Sequence, residues 1–309
     1  MGDIGMASLF AAKKNKIQDS AEDKVLYAIV NTFLVVFMLV VAYPLIFVLS
    51  SSLSSGEAVS AGRVLFLPVD FSVRGYEAVF KHKNILTGYR NTLLYTVIGT
   101  MFNIAVTMIC AYPLSRRDMQ WKRFYMIIFV ITMYFGGGLI PTYIVINKLG
   151  LINSFWVMVI PGLMGVYNMI VARTFIMSTI PLEVLESAQI DGCSDVHYFF
   201  RIVLPLSKAI IAVMGLFYGV GHWNAYFNAM IYLSEPKRYP LQLILRQILV
   251  LNQINYNDMM DPELIAANIG MADLLKFSLI VVATLPILAI YPFAQKYFIK
   301  GIMVGSLKG

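Results

Sequence analysis

Residues 25 to 49 read VLYAIVNTFLVVFMLVVAYPLIFVL, an apolar run without a charged side chain. A helix needs ~20 such residues to cross a bilayer. Inside lipid the backbone must satisfy its own hydrogen bonds, which restricts a spanning segment to a helix or a closed barrel. The run also outlasts the apolar core of a signal peptide, about 7–15 residues. It is read as a retained transmembrane helix, kinked near its outer end by Pro44. Five more apolar runs follow, at about 89–115, 124–146, 154–178, 207–232 and 274–295. The expected fold class is therefore all-α integral membrane, with six transmembrane helices. The chain is 59% apolar and 13% charged, against about 25% charged in soluble domains.

Charge orients the spans, because lysine and arginine accumulate in short cytoplasmic loops. The loop 116–123 carries Arg116, Arg117, Lys122 and Arg123, whereas the turn 148–153 has only Lys148. With 116–123 inside, both termini are cytoplasmic: a polar tail 1–24 with Lys13, Lys14, Lys16 and Lys24, and a flexible glycine-rich tail 300–309 after the membrane domain 25–299. The segments 50–88 and 233–273 are then external. The net charge of +7 is explained this way without nucleic acid. Cys110 and Cys193 fall on the cytoplasmic side, where a disulfide is not expected. His82, His197 and His222 are scattered and give no metal-ligand spacing. Gly136-Gly137-Gly138 and Pro141 interrupt the third run and predict an irregular outer end there.

One polar island, PLEVLESAQIDGCSDVHYFFRIVLP at 181–205, keeps a helical pattern between apolar runs. Pro181 suits a helix start, and Leu182, Leu185 and Ala188 make a short apolar stripe. Gly192 can end that helix in a left-handed conformation. Ser194 or Asp195 can cap the next helix, with Val196, Phe199, Phe200 and Val203 on it. Helix, glycine bend and helix, rimmed by Glu183, Glu186, Asp191 and Asp195, suit docking into a cleft of a partner protein.

The same residues carry a resemblance. Glu186-Ser187-Ala188, then Gly192, then Ile202-x-Leu204-Pro205, is similar to the EAA loop of ABC importer permeases, whose pattern is Glu-Ala-Ala, three residues, Gly, nine residues, Ile-x-Leu-Pro. Ser187 departs from the usual alanine but stays small. Ile180-Pro181 and Ile190-Asp191-Gly192 resemble the carbohydrate, maltose-type branch. The resemblance implies a multi-pass permease subunit of the cell (cytoplasmic) membrane, importing an oligosaccharide with ATP. Glu183, Glu186, Ser187, Ala188, Asp191, Gly192, Ile202, Leu204 and Pro205 would couple it to an ATPase. Implied partners are a second homologous permease, an ABC ATPase dimer and an extracytoplasmic solute-binding protein. ATP and Mg would sit on the ATPase, with no cofactor bound by this chain. The chain has no Walker lysine loop, HExxH or GxSxG, so it is expected to be a transporter subunit and not an enzyme.

A substrate path is expected in the fifth run, at His222, Trp223, Asn224, Phe227 and Asn228. Aromatic faces stack on sugar rings and amides bond hydroxyls, and Asn224 and Asn228 are four apart, on one face of a continuous helix. Competing roles are an interfacial belt for Trp223 and Tyr226 and helix–helix bonding for the two asparagines. The external segment, with Asp258, Asp261, Glu263 and Asp273, offers a docking surface for the binding protein centred on 252–262. In related permeases a tail like 300–309 enters the ATPase interface. The alternative from another class is a secondary, ion-coupled transporter or channel acting without an ATPase. It predicts an intramembrane acid or base, of which the spans hold almost none.

Overall fold

In the computed structural model, residues 20–81, 83–251 and 262–306 are described, and these are helical without a strand. The tail 1–19, the loop centre 252–261 with Asp258 and Asp261, and residues 307–309 lie outside the described residues.

Helix α1, Ala21–Ser52, starts at a reciprocal cap: Ser20 Oγ accepts from the Asp23 amide and Asp23 accepts from the Ser20 amide, each at 3.1 Å. Its last turn is buried, but its apolar body is exposed throughout. The serine-rich stretch after it is a packed corner and not a loose connection. Ser50 Oγ donates to the Phe66 carbonyl at 2.7 Å, Ser54 Oγ accepts from the Val69 amide at 3.0 Å, and the Ser52 and Tyr76 hydroxyls meet at 2.7 Å. Short helices α2, Gly56–Ser60, and α3, Arg74–Lys81, lead into α4, Lys83–Ser115.

Helices α5, Lys122–Tyr134, and α6, Leu139–Lys148, are bent by 112° across the glycine triplet. Two 3-10 turns, Phe155–Met158 and Ile160–Gly162, meet α7, Val166–Thr179, at 54°. Then come α8, Leu182–Ile190, α9, Asp195–Tyr198, a π turn at Phe199–Val203 and α10, Leu204–Leu206. The 195–206 unit bends by 77° into α11, Lys208–Trp223. Last are α12, Phe227–Tyr232, α13, Leu241–Leu251, and α14, Pro262–Ser306.

Among the described residues three helical stretches, Ala21–Ser52, Asn84–Ser115 and Gly270–Pro292, are long and apolar enough to cross a membrane, and up to six if each bent pair is one span. Helix α14 runs 45 residues, with Pro286 and Pro292 inside it, so that residues 300–306 of the expected tail are helical. It crosses α2 backbone to backbone: a Cβ on Gly56 would lie 2.7 Å from the Gly270 carbonyl. A core of Met108, Ala111, Leu114, Met169, Ala172, Ile176, Ile210 and Met214 joins α4, α7 and α11 at one end of the bundle, and Ala188, Tyr198, Phe199 and Val203 of the polar island are part of it.

Candidate functional site

The island 181–205 folds as two helices hinged at Gly192. Helix α8 ends there because Gly192 takes a φ of +73°, which lets the Gly192 amide reach the Gln189 carbonyl at 3.0 Å and the Cys193 amide reach the Ala188 carbonyl at 2.9 Å. A Cβ on Gly192 would meet no atom within 4 Å. The glycine is therefore required by the backbone, not by a close approach of the two helices. Ser194 caps α9, its Oγ accepting from the His197 amide at 3.3 Å. Pro205 has no N–H to offer the Arg201 carbonyl, and the ladder before it widens into the π turn.

The inner face of this unit is anchored. Ala188, Tyr198, Phe199 and Val203 are buried, and Ile202 and Leu204 pack beside them. Phe199 lies 5.2 Å from the Tyr112 ring of α4. The outer face presents Glu183, Glu186, Ser187, Asp191 and Gly192 to solvent, with Pro205 also exposed. Ile190, Val196 and Phe200 are exposed as well, Ile190 at 86%. Carboxylates interleaved with bare apolar side chains on a rigid, anchored unit give a surface suited to a protein partner.

One residue of this site was legible in the sequence only as a topology marker. Arg116, in the loop after α4, is buried to 10% exposure and contacts Asp195 and both oxygens of Asp118. It also donates to the Tyr112 hydroxyl at 3.1 Å. The guanidinium holds Asp118 below the usual carboxylate range. Around it, Arg173 Nε donates to the Leu114 carbonyl at 2.8 Å and Lys122 Nζ to the Arg116 carbonyl at 2.9 Å, so basic side chains satisfy the end of α4.

The second site is redrawn. Helix α11 stops at Trp223, and Asn224 closes it with Nδ2 donating to the Val220 carbonyl at 3.0 Å. Asn228 belongs to α12, so the two asparagines do not share a helix face. Trp223 is buried, its indole N–H donating to the Ala283 carbonyl of α14 at 3.0 Å, edge-on to Tyr89. Burial takes it out of an interfacial belt; its remaining free edge lines an apolar cavity of about 470 Å³ between α4, α11 and α14. Phe227 is exposed and does not line the polar cavity.

His222 and Asn228 do line one, of about 210 Å³, together with Asn103, Gly162 and Tyr218. Asn103, 1% exposed on α4, donates Nδ2 to the Gly162 carbonyl. Its Oδ1 therefore faces His222, and Nε2–H of that ring donates to it at 2.6 Å. The Tyr218 hydroxyl accepts from the Gly165 amide at 3.1 Å and pairs with Thr107 Oγ1 at 2.7 Å. Helices α4 and α11 thus hold backbone groups freed by the break before α7, as non-helical backbone at membrane depth requires. Gly99 lets His222 lie this close, since a Cβ there would be 2.4 Å from Nε2. Asn103, Thr107 and Tyr218 were missed in the sequence; the available signal was polar residues four apart in apolar helices, 103 with 107 and 218 with 222.

No family profile matches the chain. It is 39% identical over 277 residues to the polygalacturonan/rhamnogalacturonan transport system permease protein YtcP of Bacillus subtilis (strain 168), covering 90% of this chain and 96% of that one. Among solved structures it matches a chain of a bacterial ABC transporter involved in the import of the acidic polysaccharide alginate. The TM-score is 0.83 at 32% identity, over 91% of this chain and 99% of that chain. A chain of a bacterial alginate ABC transporter in complex with an alginate pentasaccharide-bound periplasmic protein shares the fold, with a TM-score of 0.54 at 16% identity, over 88% and 93% of the two chains.

Proposed function

The chain belongs to the permeases of carbohydrate ABC importers, and from that premise we propose that it forms half of an oligosaccharide pore driven by a separate ATPase dimer docked on residues 181–205. The observation that carries the reading is the two-faced unit at Gly192. Its inner side is built into the core of α4, α7 and α11, and its outer side leaves Glu183, Glu186 and Asp191 free for a partner. A push on α8 then reaches the spans through packed side chains that deform little. ATP and Mg belong to the partner. Both termini are cytoplasmic, the second half of the pore is a homologous permease, and an extracytoplasmic binding protein delivers the sugar to the external side of the cell membrane.

Within the pore, His222 and Asn228 contact sugar hydroxyls at the polar cavity, with Asn103 holding the His222 ring in place. The relatives named for polygalacturonan and for acidic alginate support a carboxylate-bearing oligosaccharide as cargo. The test is mass spectrometry of the tagged chain extracted with its native neighbours. The expected result is a second permease and two ATPase copies per chain. Recovery of the chain alone, under conditions that keep a control importer intact, would replace this reading with an ion-coupled transporter. Glu186→Lys is expected to retain the second permease and lose the ATPase.

A further inference from the structure

We infer that Arg116 is the positioning residue of the coupling unit, fixing α9 on the end of α4 so that motion of α8 reaches the spans in one direction. The inference rests on the coupling reading above. Arg116 sits in a basic surface loop, yet its side chain is 10% exposed and all three guanidinium nitrogens are engaged, on Asp118, on Asp195 and on the Tyr112 hydroxyl. Its carbonyl is held in turn by Lys122.

The acids of the unit divide accordingly. Asp195 is paired within the chain, whereas Glu183, Glu186 and Asp191 form no ion pair among the described residues. Three acids remain for a partner and one is used internally. The ring contacts of Tyr112 with Tyr198 and Phe199 bring the same two elements together, but the apolar driving force is non-directional and does not by itself choose the angle. A guanidinium bound at three nitrogens has a fixed plane, which an ammonium group at the end of a lysine does not reproduce. Arg116 therefore sets the angle at which the unit meets α4, while the apolar anchor supplies most of the adhesion.

The test uses the intact importer in lipid nanodiscs, with hydrogen exchange read with and without ATP plus vanadate and no sugar added. Arg116→Gln should leave the ATPase bound and hydrolysing. Exchange in 195–203 should rise at least about ten-fold, and the nucleotide-dependent change in α11 should be lost. Arg116→Lys should not restore it. Asp195→Asn, at an exposed carboxylate that folding can spare, should show the same defect, and the double variant should be no worse than Arg116→Gln. A nucleotide response in α11 that survives in Arg116→Gln, or in Asp195→Asn should Arg116→Gln not assemble, would overturn the inference. Rescue by lysine, or effects that multiply as for independent sites, would do the same. Absence of that response in the wild-type complex would instead remove the coupling reading on which the inference stands.

Discussion

Replacing Gly192 by alanine separates backbone strain from packing at the hinge of the 181–205 unit. The residue holds φ at +73°, a region that costs an L-residue about 1–2 kcal/mol. A Cβ there meets nothing within 4 Å, so no steric term adds to the backbone term. Gly192→Ala should therefore weaken the α8–α9 junction by about 1–2 kcal/mol, a roughly five- to thirty-fold rise in its open population. Gly192→Asn should recover most of the loss, because short polar side chains tolerate the left-handed region. Gly192→Val should exceed alanine, since branching at Cβ is worst tolerated at positive φ. The assay is hydrogen exchange of the isolated permease in detergent, read at the Cys193 amide, whose bond to the Ala188 carbonyl closes the turn. Wild-type exchange in both the alanine and valine variants would refute the reasoning, as would an asparagine variant as damaged as valine.

Asn103→Leu should leave the Gly162 carbonyl and the His222 N–H without their partner. The expected loss is about 1–3 kcal/mol for each orphaned group, seen as a lower thermal midpoint in detergent together with impaired uptake. Trp223→Phe removes one buried bond, to Ala283, worth about 0.5–1.5 kcal/mol; thermal stability should fall while the KM for uptake stays unchanged. Asp118, held below its unfolded pKa by Arg116, contributes stability that is complete above about pH 4. That contribution is lost as pH falls through the folded pKa, so acid titration of the thermal midpoint should be shallower in Asp118→Asn.

Local chemistry was readable where it depends on near neighbours. Gly192 and Ser194 announce a turn and a cap because both act within four residues of themselves. The apolar runs marked the spans for the same reason, since bilayer thickness sets their length. Partnership across the bundle was not readable. Trp223 suits a sugar path or a membrane interface by its sequence alone, and only the fold brings Ala283 of α14 beside it. Asn224 and Asn228 look like one face until the helix ends between them. Arg116 was counted for its charge, and only the fold brings Asp195, far along the chain, to meet it.

The crossing of Gly56 and Gly270 has a mechanical meaning. Two backbones touch there without side chains between them, so that contact has no side chain to compress. From Gly270 the helix extends about 12 Å toward Pro262 and about 54 Å toward Ser306, at ~1.5 Å per residue. Were the helix straight and stiff, a tilt about that point would move the far end roughly 4.5 times as far as the near one, but Pro286 and Pro292 interrupt the longer arm. The longest described helix thus has its tightest backbone contact near one end, and the longer arm beyond it carries both of its prolines.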